Sequence, residues 1–508
     1  MALELPRIKP GVDRRYLVLR LLGLGAGLLL AVLLLSRLWS FVGYVRVVFD
    51  YPYQIDYDEG INLHAAWLLS QGQAVYAPFT PDHFVSALYT PLFYFLSSIP
   101  LHWTGPSLEV GRLIILVSTV GIAIVLALLT ANATHCWPAG VLSGLFFLAL
   151  SPVYVWANLY KQDMLAVFFT VAGIYTVQRL IGSRFLYAAA VPFALAFFTK
   201  QTALVGPATA CLYLLARDSL SSPRGLRTWQ GWHRAVILAG STAAAILIPF
   251  ALLDVLTGHD LWVHVLTPRK FPWIADRLVK NLTKLASVHP YLIGLAAAVA
   301  AYLSYRRWHL LFPIYLLVAT GAILLANGYR SANYNMLLDV FPPLCLLAGT
   351  IVGEAWNRRR MPLMAGVLVG ALILLSWQAL NLSSPDSWYH GLPDATRGRE
   401  MSIIENFVAT SRGPILSEDV GTLIRAGKDT DYDDPYAFSA LAKAGAWDDS
   451  ALAAKIKAHY YTFILLDYDI TDLSGALRWS PKVFQAMKDN YEVLYRDFLF
   501  TYKPKSGP

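Results

Sequence analysis

Three carboxylates fall within four positions in the stretch Asp-Tyr-Asp-Glu-Gly, residues 56–60, shortly after an apolar run long enough to span a membrane. Unpaired negative charge beside a bilayer is costly, so Asp56, Asp58 and Glu59 need a use. Such groups accept a proton from a hydroxyl, ligate a divalent cation together, or cap a following helix, which is worth about 1 kcal/mol. Asp163 stands at the mouth of another apolar run, where a carboxylate also favours a helix N-terminus through the dipole. The cations nearest these acids in the outer segments are Lys161, Lys200, Arg269, Lys270 and Arg330. Lys200 lies at membrane depth in "TKQT", where snorkelling is the ordinary reading; Lys161 suits either a partner for Asp163 or a phosphate contact. Together the cations stand on the face where basic residues are least expected, a pattern that suits an anion site. Tyr89 and Tyr334 add aromatic faces on the same side; rings there form interfacial belts or stack on sugars.

The elements that must position these side chains are membrane spans. The chain has 508 residues, 56% of them hydrophobic and only 15% charged. Its net charge of +8 arises mainly from short basic segments between apolar runs, which sets topology and gives no nucleic-acid signal. Eleven spans are expected near 17–38, 108–130, 138–154, 163–181, 186–200, 203–216, 235–257, 290–305, 309–326, 336–353 and 361–380. The first follows a basic N-terminus and is read as retained, because no small-residue cleavage site succeeds it. With that terminus inside, the clusters at 179–184, 217–234, 306–307 and 358–360 all fall on the inner side. The acids then lie on the exoplasmic face of a multi-pass cell-membrane protein, in a first outer loop at 39–107. Within it, Ile61, Ala65, Trp67 and Leu68 predict an amphipathic helix along the membrane surface, with Asp58 at its start. Cys136, Cys211 and Cys345 have neither disulfide-framework nor zinc-site spacing.

Composition divides the chain into a membrane domain, 1–382, and a soluble exoplasmic α/β domain, 383–508. In the second, "GPILSED" and "YYTFILLDYD" predict strands, "DPYAFSALAKAG" and "DDSALAAKIKAHY" helices, and "YEVLYRDFLFTYKP" a terminal hairpin. It has no Gly-rich phosphate loop or nucleophile elbow, so an auxiliary role is expected.

The order of motifs over nearly the whole chain resembles the GT-C superfamily of polyprenyl-phosphate-sugar-dependent glycosyltransferases, which includes protein O-mannosyltransferases and lipid A aminoarabinose transferases. The residues are "DYDEGINLHAAWLLSQGQAVY" after the first span, "YTPLFYFLSS", "GR" opening the second span, "NLYKQDMLAVFFT", "FFTKQTALVGP" and "NYNMLLDVFPPLCLLAG". One departure stands out: aminoarabinose transferases place a Glu-Lys pair before the Pro of the second motif, where this sequence has Tyr89 and Thr90. The resemblance implies an inverting transfer of a sugar from a polyprenyl-phosphate donor to an exoplasmic hydroxyl of a glycan, lipid or protein, within a membrane-lipid environment and without a required cofactor. It makes Asp58 the base, Asp56 the alternative base, Asp163 a second acid and Glu59 a residue that holds an arginine or orients the loop. A divalent metal at Asp56, Asp58 and Glu59 is the competing use of the cluster. Lys161, Lys200, Arg269, Lys270 and Arg330 would face the phosphate. A transporter or flippase of a polar lipid head group is a different class of function, but the sequence lacks the inverted repeats and paired broken helices of such proteins. A non-catalytic binder of polyprenyl-linked sugars is the third.

Overall fold

All eleven expected spans are helical in the structure, a computed structural model that describes residues 14–221, 231–266, 272–329, 332–384, 388, 392–471 and 478–506. The helices of the first half are α1 (Arg14–Phe49), α2 (Tyr57–Ser70), α3 (Leu92–Thr104), α4 (Leu108–Thr134), α5 (Trp137–Ala149), α6 (Ser151–Trp156), α7 (Asp163–Leu180), α8 (Ala190–Thr199) and α9 (Val205–Ser221). They are followed by α10 (His233–Leu256), α11 (Asp260–Leu266), α12 (Ala275–Val288), α13 (Pro290–Tyr305), α14 (Leu311–Ala326), α15 (Phe341–Asn357) and α16 (Pro362–Leu380). Among the described residues five helices, namely α1, α4, α10, α15 with its preceding 3-10 turn, and α16, are long and apolar enough to cross a membrane alone; α12 and α13 form a further apolar pair bent by 92°. The other expected spans are short. A 16-residue helix such as α14 rises about 24 Å, less than the ~30 Å hydrocarbon core.

α1 runs eleven residues past its expected end. Arg37 does not stop it, because its guanidinium donates to the carbonyls of Ala379 and Leu382 at the end of α16, while Phe41 and Val48 continue the buried stripe.

The C-terminal part carries α17 (Ala395–Thr410), α18 (Val420–Arg425), α19 (Pro435–Lys443), α20 (Ser450–Lys457), α21 (Pro481–Asn490) and a sheet of four strands. These are β1 (Ile415–Ser417), β2 (Phe463–Leu466), β3 (Tyr491–Arg496) and β4 (Phe500–Pro504), in spatial order β1-β2-β4-β3. β1 and β2 are parallel, with Ile415 opposite Phe463, and the last two form the expected hairpin.

Two features around α2 differ from expectation. α2 does not lie on the membrane surface, since Glu59 through Ala66 are all buried: its apolar residues pack against α3 and its first turn against α18. The first loop also enters the C-terminal module. Phe84 is fully buried beside Phe438 and Trp447 and pairs as a bridge with Tyr432. The module is therefore part of the wall around α2, not an appendage.

Candidate active site

α2 begins with a capping box. Asp56 is its N-cap and accepts from the Asp58 amide at 2.8 Å, while Glu59 reaches back to the Asp56 amide. The helix start is thus satisfied by Asp56, and Asp58 is released from the capping duty that its position suggested. Its side chain is 36% exposed, and Oδ2 lies 2.6 Å from Lys161 Nζ. The same ammonium is 3.0 Å from Asp56 Oδ1, so Lys161 bridges the two aspartates, and its charge also acts on Asp163. Burial pushes the Asp58 carboxyl above its ordinary range, the Lys161 charge opposes that shift, and the negative charges of Asp56 and Asp163 add to it.

Asp163 opens α7 and pairs with Lys200 Nζ at 2.5 Å; Asn335 Nδ2 also donates to its Oδ1, at 3.1 Å. Lys200 is buried and does not snorkel. Asp163, Lys200, Asn335 and Asp339 line a cavity of about 50 Å³. Tyr89 lies close enough to Lys200 to interact with it electrostatically. Thr90 donates to the Phe197 carbonyl at 2.6 Å and Gln201 to the Leu88 carbonyl at 2.9 Å, which fixes this loop against the turn that carries Lys200.

Glu59 is the carboxylate of this stretch that meets an arginine. It is fully buried in a two-point pair with Arg112, both contacts at 3.0 Å, and also accepts from the amides of Ile55 and Tyr160. Arg112 in turn donates to the carbonyls of Val48, Tyr51 and Tyr53. The pair is a positioning device that ties the end of α1, the start of α2 and the segment before α7 to α4. Gly111 permits it, because a Cβ there would meet the Tyr160 ring at 2.0 Å. The three-carboxylate metal site does not fit this arrangement. Glu59 is committed to Arg112, an ammonium sits between Asp56 and Asp58, and among the described residues no group of three His, Cys, Asp or Glu side chains is placed to hold a metal ion. Tyr334 is packed on Trp388, with ring centres 5.0 Å apart, and it is the next residue, Asn335, that reaches the site. Arg269, Lys270 and Arg330 lie outside the described residues.

The C-terminal module supplies groups that no local sequence signal places here. Asp433 Oδ2 is 3.0 Å from His64 Nδ1 on α2, and Tyr57, next to Asp58, donates to Asp434 at 3.1 Å. Burial pushes the Asp434 carboxyl up to about 7, with the negative charges of Asp433 and Asp58 adding to the rise. Arg112 and Asp339 did have signals: "GR" at a span start, and an aspartate inside an apolar run, which by default marks function.

Beside the acids runs an apolar groove of about 790 Å³ between the first loop, α3, α8, α10 and α11, walled by residues such as Tyr76, Leu92, Phe198 and Leu253. Pro91 and Phe198 on its wall are two residues along the chain from Tyr89 and Lys200, which puts one end of the groove near the ionic cluster.

A helical bundle with a buried acid–lysine cluster under the loop after its first helix, and an α/β module closing over that loop, is a fold shared with solved membrane glycosyltransferases. The particular structures it matches are these. ArnT, the lipid A aminoarabinose transferase, from Cupriavidus metallidurans is 13% identical in its apo state, with 93% of this chain and 98% of that chain covered and a TM-score of 0.58. The same protein bound to undecaprenyl phosphate gives 13% identity, coverage of 93% and 99%, and a TM-score of 0.58. The oligosaccharyltransferase AglB from Archaeoglobus fulgidus, in complex with an inhibitory peptide and a dolichol-phosphate, is 12% identical, with 93% and 74% covered and a TM-score of 0.53. No family model matches the chain, and no curated protein matches it in sequence.

Proposed function

We propose that the protein is an inverting membrane glycosyltransferase that moves a sugar from a polyprenyl-phosphate donor to a hydroxyl acceptor on the exoplasmic face. The observation that carries this reading is Asp58: a carboxylate relieved of helix capping, partly open to solvent and held by Lys161, on a GT-C fold beside a long apolar groove. The groove suits a polyprenyl tail, and the solved relatives bound to undecaprenyl phosphate and dolichol-phosphate favour that class of donor.

In this reading Asp58 takes the proton of the acceptor hydroxyl. The oxygen attacks the anomeric carbon from the face opposite the phosphate, and the bond between that carbon and the phosphate oxygen breaks with its electron pair leaving on the phosphate. One displacement inverts the anomeric centre. Asp163, fixed by Lys200 and Asn335, orients the acceptor or donor sugar. Lys200, beside Tyr89 at the groove's end, together with Arg269, Lys270 and Arg330, stabilises the charge that collects on the leaving phosphate. Lys161 keeps Asp58 ionised and ready to accept the proton.

The test uses purified protein in lipid, a panel of radiolabelled polyprenyl-phosphate sugars and cell-envelope acceptors, and follows both sugar incorporation and release of free polyprenyl phosphate. Sugar incorporation matched by lipid-phosphate release, and lost in Asp58→Asn, supports the reading. Movement of intact donor across the bilayer without release would make the protein a transporter. Tight donor binding with no transfer from any donor would make it a binder.

A further inference from the structure

α1 and α15 both run from the acidic site to the opposite end of the bundle. α1 ends at Phe49, next to the carbonyls that Arg112 holds, and α15 follows the turn that carries Asn335 and Asp339. Their far ends enclose a cavity of about 270 Å³ lined by Tyr16 and Arg20 of α1, by Trp356 in the last turn of α15, and by Arg359 and Arg360 just after it. The Arg359 guanidinium lies 4.3 Å over the Trp356 ring and donates to the Trp356 carbonyl at 2.6 Å. Among the described residues, none of the three arginines forms an ion pair with a carboxylate. All three are exposed at this end of the bundle, and three cations around one cavity without a carboxylate partner among the described residues attract an anion between them.

A second cavity, about 440 Å³, shares Gly23, Leu24, Trp356 and Leu368 with the first, so the two are continuous. Its walls, from α1, α5, α15 and α16, are almost wholly apolar, and it follows α1 from Gly23 to Leu34. That stretch rises about 17 Å, close to the depth of one leaflet, half of the ~30 Å core. Leu24 and Leu28 are exposed along it, so it opens sideways towards lipid. A basic pocket at the interface joined to an apolar channel one leaflet deep has the shape and charge of a phospholipid. We propose that this end of the bundle is a binding site for an anionic glycerophospholipid of the inner leaflet, with its phosphate among Arg20, Arg359 and Arg360 and one acyl chain along α1. A polyprenyl chain overruns a groove of this depth, and the donor groove lies at the other end of the molecule. The bound lipid fills the gap between α1 and α5 and holds α1 against the bundle.

Delipidated full-length protein in mild detergent is titrated with phosphatidylglycerol or phosphatidylcholine of the same chain composition, and bound lipid is read by native mass spectrometry. The wild type should hold one phosphatidylglycerol about tenfold or more tightly than phosphatidylcholine. Replacing Arg20, Arg359 and Arg360 by Gln should abolish that preference, as should Arg20→Gln alone in part. Ala31→Trp keeps the arginines but blocks the channel, and should release the lipid without changing the charge. Arg358→Gln, which removes a charge outside the cavity, should leave binding unchanged. Equal affinity for both lipids in the wild type, or equal loss in Arg358→Gln and the triple variant, overturns the proposal. So does full competition by millimolar inorganic phosphate, which would make the site one for a free anion, or a dimer that dissociates in Ala31→Trp, which would give the groove to a second copy of the chain.

Discussion

Asp58 and its neighbours divide three tasks among three acids: Asp56 caps, Glu59 anchors Arg112, and Asp58 alone keeps a partly open carboxylate. Asp58→Asn should therefore lower kcat by about 10²- to 10⁴-fold, the usual worth of a general base, with donor affinity nearly unchanged. Retained turnover in Asp58→Asn with loss in Asp56→Asn would name Asp56 the base. A base works ionised, and burial holds the Asp58 pKa above its ordinary value, so activity should be gained as pH rises through that raised pKa. Removing the opposing Lys161 charge raises it further, and in Lys161→Met the acid limb of kcat/KM should move to higher pH. Arg112→Ala leaves Glu59 buried without its partner and should destabilise the protein by about 3–5 kcal/mol, read as a lower unfolding temperature in detergent.

At the scale of elements, the contact that matters is between α2 and the C-terminal module. Gly60, the last residue of the acidic stretch, is where α18 approaches: a Cβ there would meet Gln54 Oε1 at 2.3 Å and the Gly421 amide nitrogen at 2.4 Å. Gly60→Ala should push the module away, seen as faster proteolysis between α17 and β4 and a loss of activity without loss of the membrane bundle. The same interface holds carboxyls raised by burial, Glu418, Asp419 and Asp434, each to about 7. A folded pKa above the unfolded one means that the folded state binds the proton more firmly. Their contribution is therefore present below the unfolded carboxylate range and is lost as pH rises through about 7. Amide exchange in α18 and α19 should accelerate over that interval, and Asp434→Asn, which fixes the neutral form, should flatten part of the change.

For the whole molecule, the parity of the spans decides which compartment the site faces. Cysteines placed at Gln71 in the first loop and Lys457 in the module, both exposed, should react with an impermeant maleimide in intact cells, and one at Arg307 should not. Labelling at only one of the first two would break the outer-face assignment of the site. Cys136 and Cys345 are buried and give little background, and the half-buried Cys211 is first replaced by Ser.

The sequence by itself determined the positions of the eleven expected helical segments, the two strands and hairpin of the small sheet, and Asp56, Asp58, Asp163, Lys161 and Lys200 as candidates, but not Asp339, Asp433 or Asp434. Each of these is a local property: the length of an apolar run, a period of side chains, or a charge beside a span. Only the tertiary structure decided who meets whom. Lys161 pairs with Asp56 and Asp58, 105 and 103 residues away, while its near neighbour Asp163 takes Lys200. Glu59 meets Arg112 across 53 residues and His64 meets Asp433 across 369. Burial of α2 was hidden for the same reason: a helix with one apolar stripe suits a membrane surface as well as a protein wall, and the wall comes from residues hundreds of positions further along the chain.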